Sequence, residues 1–195
     1  MYLRLLEEFA AQGVDTVSSE ALASRGGTTS AQVRKDLSFF GSFGKRGLGY
    51  AVPELAGRLR DILGLERSYR VIVVGAGKIG TALAQYRGFG ERGFRVEAVY
   101  DADPGKLGEP RGAPAVRDIR QLERDLADHP ADIAILSTPA GAAQGVADSL
   151  VRGGIRAILN FAPVQLDVPP HVTIKDVNMA LELETLSYAL RQEIR

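Results

Sequence analysis

The spacing of apolar positions changes near residue 70, and the change divides the chain. Before it the period is helical. Tyr2, Leu5, Leu6 and Phe9 recur at i, i+3, i+4 and i+7, the pattern of a helix with one buried face, and Gly13 stops it. Ser18 or Ser19 supplies an N-cap for a short second helix through Ala23, closed by Gly26-Gly27. Thr29 stands three residues before Gln32, a capping-box spacing that opens a third helix. Val33, Leu37 and Phe40 of that helix form one apolar stripe, with Ala31, Arg34, Lys35 and Ser38 opposite. Gly41, Gly44, Gly47 and Gly49 then alternate with Phe43, Lys45, Arg46 and Tyr50, which suits a tight two-stranded turn with a basic tip. A further amphipathic helix (Leu55, Leu59, Ile62, Leu63) closes this unit, and residues 64–70 read as a polar linker.

From Arg70 onward strand and helix patterns alternate. Val71–Val74 is a continuous β-branched run, as expected of a strand covered on both faces of a parallel sheet. Helices are predicted at 78–86, 118–126 and 140–152, and strands at 94–100, 132–136, 157–160 and 172–175. That order specifies a doubly wound parallel α/β sheet of the Rossmann type. Met179, Leu183, Leu186 and Leu190 mark an apolar stripe on a last helix, which needs a cover from its own domain or from a second subunit. The expected architecture is a winged helix-turn-helix (1–64), a Rossmann domain (70–176) and a C-terminal dimerisation helix (177–195).

Gly75-Ala76-Gly77-Lys78-Ile79-Gly80 is a G-x-G-x-x-G turn between a strand and a helix, the context such a turn needs for dinucleotide binding. Gly75 permits the turn, Gly77 lets a pyrophosphate approach the backbone, and Gly80 allows close packing. Asp101 ends the next strand 21 residues beyond Gly80. A carboxylate there accepts from the adenosine ribose and repels a 2′-phosphate, so NAD(H) is favoured over NADP(H), with Asp103 a competitor for the role. Ser137-Thr138-Pro139-Ala140, with Gln144 one turn on, and Asn160-Phe161-Ala162-Pro163 close later strands and border the nicotinamide half, unless they are ordinary strand-end turns.

Charge and composition narrow the class. Net charge is zero, yet residues 25–60 hold seven basic residues against Asp36 and Glu54, a footprint a phosphate backbone favours and a solvated face would share. Absence of cysteine excludes disulfides, thiolate metal sites and cysteine nucleophiles. His129 and His171 are the only histidines and have no H-x-x-x-H spacing, so neither a metal site nor a histidine catalyst is expected. No Y-x-x-x-K proton-donor spacing occurs, and no substrate domain follows the last strand. The cofactor pocket is therefore expected to bind without catalysing, and no catalytic residue is assigned. With no 18-residue apolar run and no charged-then-apolar N-terminus, the expected location is the cytoplasm, not the membrane.

Two helices, a recognition-type helix and a basic hairpin describe a DNA reader. The third helix is expected in the major groove, with Arg34 and Lys35 on bases or phosphates, Ser38 adding a polar contact, and Thr29 or Gln32 near the backbone. Lys45 and Arg46 at the hairpin tip, with Gly47 and Tyr50 beside them, would follow the minor groove. A packing module with a solvated basic face is the competing reading of this unit. For the whole chain the competitor is a small NAD-dependent oxidoreductase or a CoA-ligase-like subunit.

The chain resembles the Rex family of redox-sensing transcriptional repressors. The likeness runs through Ser30–Ser38, Gly41–Gly44 and Arg46–Tyr50, then Gly75–Gly80, Tyr86 with Gly88-Phe89, and Asp101–Pro104. It continues through Pro139–Gln144, Asn160–Pro163 and Leu186–Tyr188. It implies a homodimer, its C-terminal helices exchanged between subunits, that binds a palindromic double-stranded operator when NAD+ dominates and releases it when NADH binds. NADH and NAD+ would be effectors and the controlled genes those of respiration and fermentation; Phe89 and Phe161 are expected to close over the nicotinamide, with Tyr86 a further cofactor-binding residue. Two departures stand out. Family members usually carry further residues before Tyr2, which puts the completeness of the first helix in question. They also commonly carry an aspartate near Asn178, clustered with an arginine and a tyrosine matched here by Arg4 and Tyr86, so Asn178 leaves that contact short of a charge unless Asp176 replaces it.

Overall fold

The computed structural model describes residues 1–41, 43–44, 48–108 and 114–193. The chain folds as two compact units, Met1–Arg67 and Ser68–Arg195.

Among the described residues the first unit comprises four helices and a minimal sheet. Helix α1 (Tyr2–Ala11) buries Leu3, Leu5, Leu6 and Phe9. Strand β1 (Thr16–Val17) leads to α2 (Ser19–Gly26), whose Ser18 side chain accepts from the Ala21 N–H and whose C-cap Gly27 is left-handed. Helix α3 (Ser30–Ser38) starts on Thr29, whose hydroxyl accepts from the Gln32 N–H at 3.1 Å. Strand β2 (Tyr50–Ala51) and α4 (Val52–Ile62) complete the unit.

The structure adds one pairing to the sequence pattern and trims the apolar stripes of two helices. β2 pairs with β1, Val17 opposite Tyr50, a partner the sequence pattern does not supply. Gly49 makes this pairing possible: its φ is +84°, and a Cβ there would run into the Val17 carbonyl. Phe40 lies past the end of α3 and is exposed, and so are Ile62 and Leu63 at the end of α4, where Leu55 and Leu59 alone of the expected stripe reach the core. Ser42, Lys45, Arg46 and Gly47, most of the expected basic tip, lie outside the described residues.

The second unit is a six-stranded parallel sheet. Its strands are β3 (Tyr69–Val74), β4 (Phe94–Asp101), β5 (Val116–Asp118), β6 (Ile133–Leu136), β7 (Ala157–Asn160) and β8 (Thr173–Asp176). Their spatial order is β5-β4-β3-β6-β7-β8. Helices α5 (Lys78–Ala84), α6 (Arg87–Glu91), α7 (Leu122–Asp128), α8 (Ala140–Arg152) and α9 (Met179–Glu193) connect or follow them. Alternate residues of β3 face opposite sides: Ile72 and Val74 pack under α7 and α8 with Leu126, Ala147 and Leu150, while Val71 and Val73 meet Leu83, Ala84 and Phe89 of the α5–α6 side. The single helix expected over 78–86 ends at Ala84, and β5, a short edge strand, carries too few apolar residues for its pattern to show.

Tyr100, 2% exposed, fixes one flank of the sheet. Its hydroxyl donates to Asp125 Oδ2 at 3.0 Å, and Arg117 donates to the same oxygen at 3.0 Å. Burial, then the hydrogen bond and charge of Asp125, push the phenol from 10.0 to about 12, against the pull of Arg117. The folded state thus holds a proton that the unfolded chain releases first. Its stabilising effect is complete below pH 10 and is lost as pH rises through about 12. Tyr100→Phe is expected to cost about 1–2 kcal/mol in urea unfolding at pH 7. The gap between variant and wild type should narrow across the alkaline window, and a gap that stayed constant there would contradict the assignment.

Candidate functional site

In a doubly wound sheet the crevice opens where strand order reverses, here at the carboxyl ends of β3 and β6. Three backbone segments meet there. The Gly75 N–H donates to Tyr100 O at 2.8 Å, Ser137 N–H to Val74 O at 2.8 Å, and Phe161 N–H to Leu136 O at 2.8 Å. Gly75 has φ +104°, and a Cβ on it would stand 2.5 Å from the Ser137 carbonyl oxygen. A Cβ on Gly80 would fall onto the Gly75 carbonyl and the Ser137 hydroxyl. Ser137 Oγ itself donates to Gly75 O at 2.9 Å, tying β6 to the glycine turn. Gly77 differs, because a Cβ there would meet nothing within 4 Å. Two of the glycines are demanded by the protein's own packing and the third faces open space.

That space is a cavity of about 750 Å³, lined by Gly75, Gly77, Ile79, Asp101, Lys106, Ile119, Thr138, Pro139, Val146 and Phe161 among others, a size suited to a nucleotide-like ligand. Thr138 Oγ1 is buried without a hydrogen-bond partner among the described residues, an acceptor and donor that a ligand would satisfy. A neighbouring cavity of about 630 Å³ shares Ile79, Phe161 and Pro163 and extends to Asp176, Asn178, Met179 and Leu181. Ile79 and Phe161 stand between the two. The residues present therefore fit a dinucleotide: a glycine cradle, an acidic end, an apolar lining and an unsatisfied hydroxyl.

Asp101 is 9% exposed at the end of β4. Its Oδ2 accepts from the Ala76 N–H at 2.6 Å and from Lys106 Nζ at 3.0 Å, and its Oδ1 from the Asp103 N–H at 2.8 Å. Burial alone would raise its pKa, but the Asp103 amide, Lys106 and the Ala76 amide outweigh it and hold the carboxyl below the usual carboxylate range. Lys106 is a member of this constellation that sequence reading passed over. Only its place five residues after Asp101, across the turn begun by Pro104, could have signalled it.

The remaining expected residues are dispersed. Lys78 is exposed at the start of α5 and lines neither cavity. Tyr86, 60% exposed, meets Phe89 edge to face at 5.1 Å, and this pair also lies outside both linings. Asn160, 1% exposed, spends its amide on the turn itself: Nδ2 donates to Val164 O and Asp176 Oδ1, and Oδ1 accepts from Ala162 N–H. Ala162 is buried beside it and lines the second cavity. Gln144 clips the loop at Asp167 through both ends of its amide. Asn178 caps α9, accepting from the Ala180 and Leu181 N–H groups, a role the sequence reading did not give it. Arg4, in the first unit, pairs with Glu8 along α1 at 3.6 Å.

In the first unit α3 presents its polar face intact. Lys35 is exposed, Arg34 donates to Ser19 Oγ at 3.0 Å, and the Ser38 hydroxyl returns to Lys35 O at 2.7 Å. Gln32 Nε2 donates to Asp36 Oδ1 at 2.5 Å, while Tyr2 of α1 donates to Asp36 Oδ2 at 2.6 Å. A carboxylate only accepts, so Asp36 commits the nitrogen end of Gln32 and leaves its oxygen as the free end. Burial first, then Asp36, push the Tyr2 phenol to about 12, keeping it a donor. Tyr50 departs from expectation: at 8% exposed its ring belongs to the core, because the β1–β2 pairing turns it inward.

Comparisons with known proteins agree with both units. The "CoA binding domain" family matches residues 66–164, and "Putative DNA-binding protein N-terminus" matches residues 1–38. The chain is 46% identical to the redox-sensing transcriptional repressor Rex of Streptomyces coelicolor, over 96% of this chain and 73% of that protein. It is 47% identical to Rex of Thermus thermophilus, over 97% and 89%. Among solved structures, RSP in complex with β-NAD+ and operator DNA matches with TM-score 0.93 and 41% identity, covering 98% of this chain and 88% of that one. RSP in complex with β-NADH matches at 0.89 and 40%, covering 98% and 90%.

The glycines give a paired test. Gly80→Ala should destabilise the protein by about 1–3 kcal/mol, the cost of overpacking against backbone. Gly77→Ala should cost under about 1 kcal/mol in thermal unfolding, since only an N-cap preference is lost, while dinucleotide affinity falls. Equal stability losses at the two positions would contradict this division of roles.

Proposed function

The chain belongs to the Rex family of redox-sensing transcriptional repressors, and from that premise we propose that it binds operator DNA through α2 and α3 and reads the NADH/NAD+ ratio in the crevice of its second unit. One observation carries the reading: a cavity with a dinucleotide cradle and an acidic ribose end shares a chain with a helix-turn-helix, and the similar RSP forms a complex with both β-NAD+ and operator DNA. The proposal makes the nucleotide an effector and the protein a regulator, not an enzyme, acting in the cytoplasm. Among the described residues no helix is long and apolar enough to cross a membrane.

Lys35 and Arg34 supply charge for phosphates or base edges, Thr29 and Gln32 position the start of α3, and Ser38 extends its polar face. Lys45, Arg46 and Gly47 are assigned to the DNA surface on sequence grounds alone. Tyr50 leaves that set because its ring is buried. Gly75, Ala76, Gly77 and Gly80 hold the pyrophosphate end, Asp101 the ribose, and Thr138, Pro139, Ile79 and Phe161 the far half. A bound nicotinamide ring supplies the redox difference, being charged when oxidised and neutral when reduced. Ile79 and Phe161 present apolar surface, which desolvates a neutral ring at lower cost than a charged one. Six large apolar side chains of α9 are exposed, and we assign them to a two-fold partner, which would present two copies of α3 to a palindromic operator.

The test is operator affinity measured by gel shift while NADH, NAD+ or coenzyme A is titrated. Reduced cofactor can release DNA only if it binds the DNA-free form more tightly. NADH should weaken operator binding and NAD+ should not. Lys35→Ala should lower operator affinity about tenfold or more, the worth of one good groove contact, with NADH affinity unchanged. Equal grip with NADH and NAD+, release by coenzyme A alone, or steady turnover of a metabolite would overturn the reading.

A further inference from the structure

We propose that Lys106 is the second determinant of the adenosine ribose, donating where Asp101 accepts, and that this pair rather than the aspartate alone sets how a 2′-phosphate is received. The proposal rests on the crevice being the NAD(H) site.

Lone pairs and protons at the end of β4 decide the matter. A carboxylate offers about four acceptor positions. Three of those on Asp101 are taken by Ala76 N–H, Lys106 Nζ and Asp103 N–H. One remains, and a ribose diol brings two hydroxyls. Asp101 cannot accept from both without giving up a bond that holds the glycine turn or the turn at 103–106. The second hydroxyl needs a donor. Lys106 is that donor: an ammonium carries three protons, one of which is on Asp101 at 3.0 Å. The lysine lines the same cavity, and its side chain is 40% exposed toward solvent, so it can turn from the carboxylate to a ligand. It sits on the 3₁₀ turn Pro104–Lys106 directly after β4, which holds its stem close to the end of the strand. Asp103 does not replace it, because that carboxylate caps the same turn by accepting from the Gly105 N–H at 2.9 Å and stands 3.9 Å from the ammonium.

The same geometry changes the electrostatics of selection. An isolated carboxylate repels a 2′-phosphate. Here an ammonium lies against it, so the acidic charge at the ribose is largely compensated, and rejection of NADPH is milder than Asp101 alone would impose. Removing the lysine should therefore sharpen selectivity, the opposite of what loss of a mere structural prop would do.

The experiment measures dissociation constants of the full-length protein for NADH and NADPH by titration calorimetry. It compares wild type with Lys106→Ala, Lys106→Arg and Asp101→Asn, with thermal midpoints as a control for folding. Lys106→Ala should weaken NADH about tenfold, the loss of one charge-assisted hydrogen bond. It should weaken NADPH by a clearly larger factor, because the uncompensated carboxylate then faces the phosphate. Lys106→Arg should restore the wild-type ratio, and Asp101→Asn should improve NADPH relative to NADH. If Asp101→Asn shifts the ratio while Lys106→Ala leaves it unmoved, or lowers both affinities equally, the role given to Lys106 is wrong and the cofactor site stands. If neither position alters either constant, the cofactor site itself is misplaced and both readings fall.

Discussion

The site depends on a contact that leaves no room for side chains. At the carboxyl ends of β3 and β6, the backbones of Gly75, Gly80 and Ser137 approach so closely that a single methyl group on either glycine would strike a carbonyl oxygen. The approach pins the start of α5 against the point where strand order reverses. It also sets Ala76, whose N–H reaches across to Asp101 Oδ2 at 2.6 Å. The turn after β3 and the end of β4 thus form one rigid corner, and the cavity takes its shape from it.

That corner has an electrostatic consequence. Asp101 is nearly buried, a setting that by itself favours the neutral acid, yet its hydrogen bonds hold it ionised. Because its folded pKa is depressed, its stabilising contribution is present above the unfolded value and is lost as pH falls through the folded one. The charge a ribose would meet is therefore in place before any ligand arrives, and part of the organising cost of binding is met by the fold itself. Thr138, a residue of the cavity lining, is the complementary case, a buried hydroxyl without a hydrogen-bond partner among the described residues.

Much of this was legible in the sequence, for identifiable reasons. Glycine spacing between a β-branched run and a helical stretch is a local signal, so Gly75, Gly77 and Gly80 could be given separate roles before any coordinate. Caps are local too, and Thr29 is where its spacing to Gln32 predicts it. The misses are non-local. Nothing in residues 41–51 announces that Tyr50 pairs with Val17 across two helices, so its ring was expected on the surface when the pairing turns it into the core. Asn160 has the right chemistry for a ligand, but its amide closes a turn, and Asn178, expected beside a switch contact, caps a helix. Polar side chains at strand ends have two competing uses, and only the geometry of the neighbouring backbone decides between them. Lys106 was passed over for a related reason: a lysine in a polar turn is ordinary until the carboxylate facing it is known to be buried.

The last helix argues for the state in which the protein works. An isolated helix of about 15 residues is marginal in water, yet α9 exposes Met179, Leu181, Leu183, Leu186, Tyr188 and Leu190 at 55–67% each. Burying a large apolar side chain is worth roughly 1.5–3 kcal/mol, so covering the stripe of Met179, Leu183, Leu186 and Leu190 alone would far outweigh a rim of surface charges. The first unit carries a parallel shortfall under the proposed function, because one copy of α3 would read only one half-site. The proposed two-fold partner would answer both needs through a single symmetry operation, covering α9 and bringing a second recognition helix. The dimer and the palindrome are therefore one proposal seen from two ends of the chain.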